Sequence, residues 1–317
     1  MVATADTQAA TRTKKPPMTR KQRRRALYGY AFLSPWIIGF LAFTALPIVI
    51  SIGLSFTRYS VLRAPQFIGF KNFEHALGGG DELMWPSIGR SFYYALLSVP
   101  IGLIASLTLA VLLNQKLALT AMWRTFFFLP TLTPGVAMAY LWKWLLNSEI
   151  GVLRVAFDWV GLPMPRWFGS MEWAIPALVM IAVWGGAGGS SMIIFLAGLQ
   201  DVPKELIEAA EIDGAGRWRK FWNVTLPLIT PVVFFNMIMG VIGALRVFDT
   251  AFIATRGGPS FATWFISLHI YQTAFVYFDM GYAAALSWIL VVIIVSLTII
   301  QFRFSENWVF YQGGGRG

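Results

Sequence analysis

Long windows with almost no charge recur along this chain, and they constrain its fold more than any other feature. The first runs from Tyr28 to Phe56 without an acidic or basic side chain. A hydrocarbon core of ~30 Å needs ~20 helical residues at 1.5 Å rise each. Within that medium every backbone polar group must be satisfied internally, so an apolar window this long is a helix. Six spans are predicted: 28–56, 90–113, 123–146, 173–199, 226–248 and 282–302. The composition agrees. Hydrophobic residues make up 57% of the chain and charged ones 13%, about half of the ~25% usual in soluble domains. A soluble protein would instead pattern its helices amphipathically. The expected fold class is an all-α polytopic membrane protein with about six transmembrane helices.

The net charge of +10 is not a nucleic-acid signature, because of where the charge lies. Arg12, Lys14, Lys15, Arg20, Lys21, Arg23, Arg24 and Arg25 all precede the first apolar window. A cleavable signal has an apolar stretch of ~7–15 residues and a small-residue cleavage site. The window 28–56 is too long, so a retained helix is expected, anchored by a basic, disordered cytoplasmic tail over 1–27. With the N-terminus inside, sixteen of the 25 basic residues fall on the inner side and nine on the outer side, which favours this topology. The membrane domain then covers 28–302, with a cytoplasmic C-terminal tail over 303–317. Residues 261–280 are also rather apolar. His269, Tyr271, Gln272 and Asp279 argue for a short helix at the outer interface or dipping partway in, rather than a seventh span.

Catalysis by this chain is not expected. It has no cysteine and two histidines, His75 and His269, far apart in sequence. Thiolate chemistry, Cys-based zinc sites and His-rich metal or proton-relay sites are therefore not expected. No HExxH and no paired intramembrane carboxylates occur.

Between the fourth and fifth spans stands a charged block, 200–225. Asp201-Val202-Pro203 reads as a helix start, with Asp as N-cap and Pro in the first turn. Glu205, Glu208 and Glu211 complement the helix dipole. Ala209 and Ala210 leave one face flat, and Gly214 stands where a left-handed glycine would end the helix. Trp218, Phe221, Trp222 and Thr225 then recur at helical spacing among Arg217, Arg219 and Lys220, the pattern of an interfacial helix. Leu226-Pro227 leads into the next span. The result is a short L-shaped element presenting an acidic knob that includes Asp213. By charge alone it could equally be an ordinary solvated connection.

The spacing EAA, three residues, Gly214, nine residues, Val224, one residue, Leu226-Pro227 resembles the EAA signature of binding-protein-dependent ABC importer permeases. FLSPWIIGFLAFTALPIVISIGLSF (32–56), WRTFFFLPTLTPGVAMAYLWKWLLN (123–147), TRGGPSFAT (255–263) and GYAAALSW (281–288) are similar to the sugar-permease branch, for maltose, lactose-like oligosaccharides and glycerol-3-phosphate. The resemblance implies a type I importer permease in the cytoplasmic membrane of a prokaryote. It implies a second permease subunit as heterodimer partner, two ATPase subunits and an external solute-binding protein. ATP and magnesium would be held by the ATPase partners and no cofactor by this chain. It makes Glu205, Glu208, Ala209, Ala210, Asp213, Gly214, Leu226 and Pro227 the coupling residues.

WGGAGGSSM (184–192) has glycines but no GK[ST] ending and no preceding strand, so it is not a nucleotide loop. Gly185 and Gly189, and Gly186 and Ser190, are four apart. Two readings stand equally: close helix packing through small residues, or a loosened helix lining a cavity, with Ser191 beside it. On the resemblance, the substrate path also takes in Gly240, Gly243, Ala244 and Val247, with Arg246 and Asp249 nearby. Those two are functional suspects as intramembrane charges; a mutual i, i+3 ion pair is the favoured explanation. The competing function, a self-sufficient secondary transporter or channel, would want an internal repeat and buried ionisable groups, and neither is evident.

Overall fold

The computed structural model describes residues 19–61, 63–115 and 118–310. The chain divides between Gly53 and Leu54 into two units. The first is one long helix. It comprises α1 (Arg20–Phe40), a π-helical turn Leu41–Ala45, and the start of α2 (Leu46–Ser55). The wide turn precedes Pro47, which has no N–H to give the helical ladder. Residues 20–27, expected as part of a disordered tail, are helical; arginine and lysine are good helix formers and nothing breaks the run before the apolar window. Of that expected tail, 1–18 lies outside the described residues, as does 311–317 of the expected C-terminal tail.

The second unit opens with a β-hairpin, β1 (Thr57–Ser60) against β2 (Arg63–Phe67), pairing Thr57 with Phe67. It is a small addition to the expected all-α fold. The short helix α3 (Lys71–Leu77) follows, then α4 (Met84–Leu113). The third expected span is a pair, α5 (Thr120–Leu132) and α6 (Gly135–Leu145), bent by 93°. Pro134 explains the break: its ring drives Thr133 out of the helical region, to ψ 127°, and it lacks an N–H. After α7 (Val152–Val160), the fourth span is also a pair, α8 (Met171–Ala187) and α9 (Ser190–Gln200), bent by 48° at Gly188-Gly189.

The charged block holds α10 (Lys204–Ile212), α11 (Arg217–Lys220), a π-helical turn Phe221–Thr225 and α12 (Leu226–Leu228). The range expected as the fifth span, 226–248, holds α12 and α13 (Thr230–Leu245), and the long apolar segment there runs Thr230–Ala254, α14 (Asp249–Ala254) continuing it after a break. Residues 261–280 contain α15 (Ile266–Tyr271), with a π-helical turn Gln272–Val276, and α16 (Met280–Ser305) closes the described chain. Among the described residues four helical segments are long and apolar enough to cross a membrane, and six if each bent pair counts as one span.

Helix α4 is the central post, packed on α8, α9 and α13. Its middle joins the largest core, with Val99, Leu178, Ile181, Leu245 and Phe265. Its C-terminal end, Ala110 and Leu113, packs with Phe195, Leu199, Val202 and Ile229. Its N-terminal end, Met84 and Ile88, packs with Ile266, Tyr282 and Leu286. The two ends of this post carry the two polar regions described next.

Candidate functional site

At the C-terminal end of α4 the charged block leaves the core. Asp201 does not cap α10: it closes α9, its N–H bonded to the Ala197 carbonyl, and Pro203 stands at the N-cap with no side-chain hydrogen bond. Pro203 rather than Asp201 sets the start, because its φ is already helical and it has no N–H to satisfy. At the other end, Gly214 has φ +76°. Ala215 N–H bonds to Ala210 O at 2.9 Å, and Gly214 N–H to Glu211 O at 3.0 Å. This is the left-handed helix stop that a glycine makes without steric cost. The chain then reverses into α11, and Lys220 Nζ forms an ion pair with Glu211 across the bend.

Glu205, Glu208, Ala209, Asp213 and Gly214 are exposed, and Ala210 is half-buried. Among the described residues Glu205, Glu208 and Asp213 form no ion pair. Leu226 and Pro227 are half-buried at the root, and Leu226, like Ile207 and Leu228, packs against the buried cluster that includes Val202 and Ile229. The eight expected coupling residues thus fall into a knob and a foot. Trp218 and Trp222 are exposed, whereas Phe221 and Thr225, at the two ends of the π-helical turn, are half-buried.

The glycines of α8 and α9 do not act as the four-residue pairs expected. Gly185 and Gly186 have nothing near the position a Cβ would take. The close approach is at Gly188 and Gly189: a Cβ at Gly188 would overlap the Phe127 carbonyl of α5, and one at Gly189 would lie 2.7 Å from Thr131 Oγ1. The Thr131 hydroxyl donates to the Gly185 carbonyl at 3.0 Å. Close packing and a loosened helix therefore coexist: α5 fits against the break and takes up one freed carbonyl. Ser190 is exposed and Ser191 half-buried. Beside the break is an apolar cavity of about 1000 Å³ whose walls include Tyr93, Phe126, Trp142, Trp173, Trp184 and Gly188.

Residues 243–249 do not line this cavity. Ala244 is buried in the core and Val247 packs against it, while Gly243, Arg246 and Asp249 are exposed. The expected Arg246–Asp249 ion pair is absent. The helix ends at Leu245 and Phe248 leaves the helical region at φ −137°, so the two charges do not share a helical face.

The N-terminal end of α4 holds a polar cluster that sequence reasoning missed. Asp81 Oδ2 accepts from Tyr282 Oη–H and from His269, both at 2.7 Å, and Asp81 Oδ1 accepts from Leu83 N–H at 2.9 Å. Burial pushes the Asp81 carboxyl up, but the hydrogen bonds from Tyr282, His269 and Leu83 outweigh it and hold it below the ordinary carboxylate value. His269 is buried, and Trp264 Nε1–H donates to its Nδ1 at 3.2 Å. The available signal was a histidine placed centrally in an otherwise apolar segment, since a buried polar group needs partners.

The six apolar segments, two of them bent, and the charged bend between the fourth and fifth make up the fold of a type I ABC importer permease. The chain superposes on a chain of the "bacterial alginate ABC transporter in complex with alginate pentasaccharide-bound periplasmic protein" with TM-score 0.79, over 90% of this chain and 96% of that one, at 24% identity. The family described as "Binding-protein-dependent transport system inner membrane component" matches residues 90–308, and the chain belongs to that family. It is 42% identical over 298 residues to the probable ABC transporter permease protein YesP of Bacillus subtilis (strain 168), covering 93% of this chain and 95% of the relative. It is 31% identical over 284 residues to the trehalose/maltose transport system permease protein MalF of Thermococcus litoralis, covering 88% and 94%.

Proposed function

We propose that this chain is the non-catalytic translocation subunit of an ATP-driven sugar or oligosaccharide importer, and that the 200–225 bend couples ATP hydrolysis to alternating access. The observation that carries this reading is the geometry of the bend. An acidic, unpaired knob (Glu205, Glu208, Asp213) is held rigidly by the Gly214 stop and footed in the core through Val202, Leu226 and Ile229. Unpaired carboxylates on a rigid support suit a cleft in a second protein; the same groups on a floppy loop would lose more entropy on docking. The sugar class is supported by the trehalose/maltose relative and the alginate transporter. The partners proposed are a second permease subunit, two ATPase subunits that hold ATP and magnesium, and an external solute-binding protein. The bias of basic residues favours a topology with the N-terminus and the 200–225 bend in the cytoplasm and the 255–263 turn outside.

The test is reconstitution in proteoliposomes. Uptake of a labelled oligosaccharide is expected only with the ATPase, ATP and binding protein together, and the isolated subunit is expected to hydrolyse no ATP. Uptake driven by an ion gradient without the ATPase would overturn the assignment in favour of a secondary transporter.

A further inference from the structure

The turn TRGGPSFAT, 255–263, is held in an unusual backbone conformation. Arg256, Ser260 and Phe261 have φ of +52°, +44° and +61° without being glycine, and Gly257 has φ +87°. Such residues persist only where their surroundings fix them, and they mark places where shape is used. Two supports are visible. Thr263 is fully buried; its hydroxyl donates to the Gly258 carbonyl at 2.9 Å and lies 2.6 Å from Thr255 Oγ1. Trp264 lies directly beneath the turn, so that a Cβ at Gly257 would overlap its indole ring.

Trp264 leads away from the turn. An indole N–H can only donate, so His269 Nδ1 accepts and carries no proton. The proton of the neutral ring is then on Nε2, which donates to Asp81, 188 residues away in sequence. Asp81 receives three donors in all, from His269, Tyr282 and Leu83. A carboxylate can accept all three; an amide of the same size cannot, because one of its two ends is itself a donor.

We propose that Asp81 and His269 are positioning residues for the 255–263 turn, acting through Trp264 to pre-set the exposed Arg256, Ser260 and Phe261 for docking of the external solute-binding protein. The docking half rests on the outward placement of this turn in the proposed function; the positioning half does not. A pre-set loop loses less entropy when a partner binds, so loosening it raises the partner concentration needed while leaving the later steps alone.

The experiment compares wild type, Asp81→Asn and Trp264→Phe in the assembled transporter. Amide hydrogen exchange in 255–265 is expected to accelerate about tenfold or more in both variants, with 204–214 unchanged. Selective 15N-histidine labelling reports just two imidazoles, His75 and His269. Wild type should show one ring held with Nε2 protonated and Nδ1 bare, and Trp264→Phe should release that tautomer. The half-saturating concentration of the binding protein should rise several-fold while turnover at saturation stays near wild type. Unchanged exchange in 255–265, or acceleration spread over the whole chain, overturns the positioning role. Local acceleration with an unchanged half-saturating concentration overturns the docking role. Should Asp81→Asn not fold, Trp264→Phe decides alone, since it keeps the aromatic packing. If wild type shows no ATP-dependent uptake, the functional reading fails, and the exchange and tautomer measurements still judge the positioning.

Discussion

The two ends of α4 handle acidic side chains in opposite ways. At the N-terminal end Asp81 has three donors and lies against the buried His269 and the first turn of α16. At the C-terminal end Glu205, Glu208 and Asp213 are exposed and unpaired, on a bend whose backbone is nevertheless tightly fixed. Paired buried carboxylates stabilise the fold they sit in, and losing one partner is costly because the charge is left behind. Exposed carboxylates contribute little to stability on their own. One end is complete within this chain; the other offers exposed carboxylates on a fixed backbone, as the proposed docking with the ATPase would use.

The comparison breaks most decisively at Glu208. If the knob is buried on docking with the ATPase, Glu208→Lys sets a cation where an anion is accepted, at a cost of about 2–5 kcal/mol of association, or about thirtyfold and more in affinity. Ala209→Trp should fail comparably through bulk. Both variants should insert and fold normally, since neither side chain supports the core. Co-purification of the ATPase, measured alongside oligosaccharide uptake, checks this. Wild-type retention and uptake in both would reduce the bend to a solvated connection.

Gly214→Val should have a smaller and different effect. A β-branched residue at φ +76° strains the stop by about 1–2 kcal/mol. The knob would keep its charges and lose its aim. ATP hydrolysis should persist with less sugar moved per ATP, read as the ratio of uptake to phosphate release. An unchanged ratio would mean that the bend need not be rigid, and the contrast with the Asp81 end would lose its point.

How these features were legible differs between the ends. The bend was readable because it is local: EAA, Gly214 and Leu226-Pro227 lie within one short window, and each residue acts through its own backbone or exposed side chain. The long apolar spans were readable for the same reason. The Asp81 cluster was not, since Asp81, His269 and Tyr282 meet only after three helices pack, and no periodicity in one segment reports such a contact. The breaks were half legible. Pro134 announces a weak point, but that it turns the chain by 93° depends on how α6 packs. Gly188 and Gly189 stood out among seven small residues only once Phe127 and Thr131 were seen against them. Arg246 and Asp249 misled because their spacing presumes a continuous helix, and the helix stops at Leu245.

Acid gives a gentler probe of the same contrast. The Asp81 carboxyl titrates below its ordinary value of 3.8 when folded. A group lowered in the folded state contributes stability above its unfolded value and loses it as pH falls through the folded one. The melting-temperature gap between wild type and Asp81→Asn should therefore be steady above about pH 5 and shrink on further acidification. A gap that stays constant through the acid range would mean that the three donors do not hold the Asp81 carboxylate.

The smallest effect expected is at the ion pair that the bend forms among the described residues, Lys220 with Glu211. The Glu211 side chain is 56% exposed and that of Lys220 18%, so water screens the pair and its loss should cost no more than about 1 kcal/mol. The bend has a second lock that does not depend on charge, the Gly214 stop with Ala215 N–H on the Ala210 carbonyl. Glu211→Gln removes the ion pair and keeps that lock. It also leaves the knob's three unpaired carboxylates untouched. Uptake per ATP should stay within about twofold of wild type, and raising the salt concentration should erase even that difference, since exposed pairs are screened within a Debye length of about 10 Å at 0.1 M. A loss of coupling as deep as that of Glu208→Lys would move the site of action from the unpaired acids to the paired one. The bend would then resemble the Asp81 end after all, a region whose charges are there to hold its own chain.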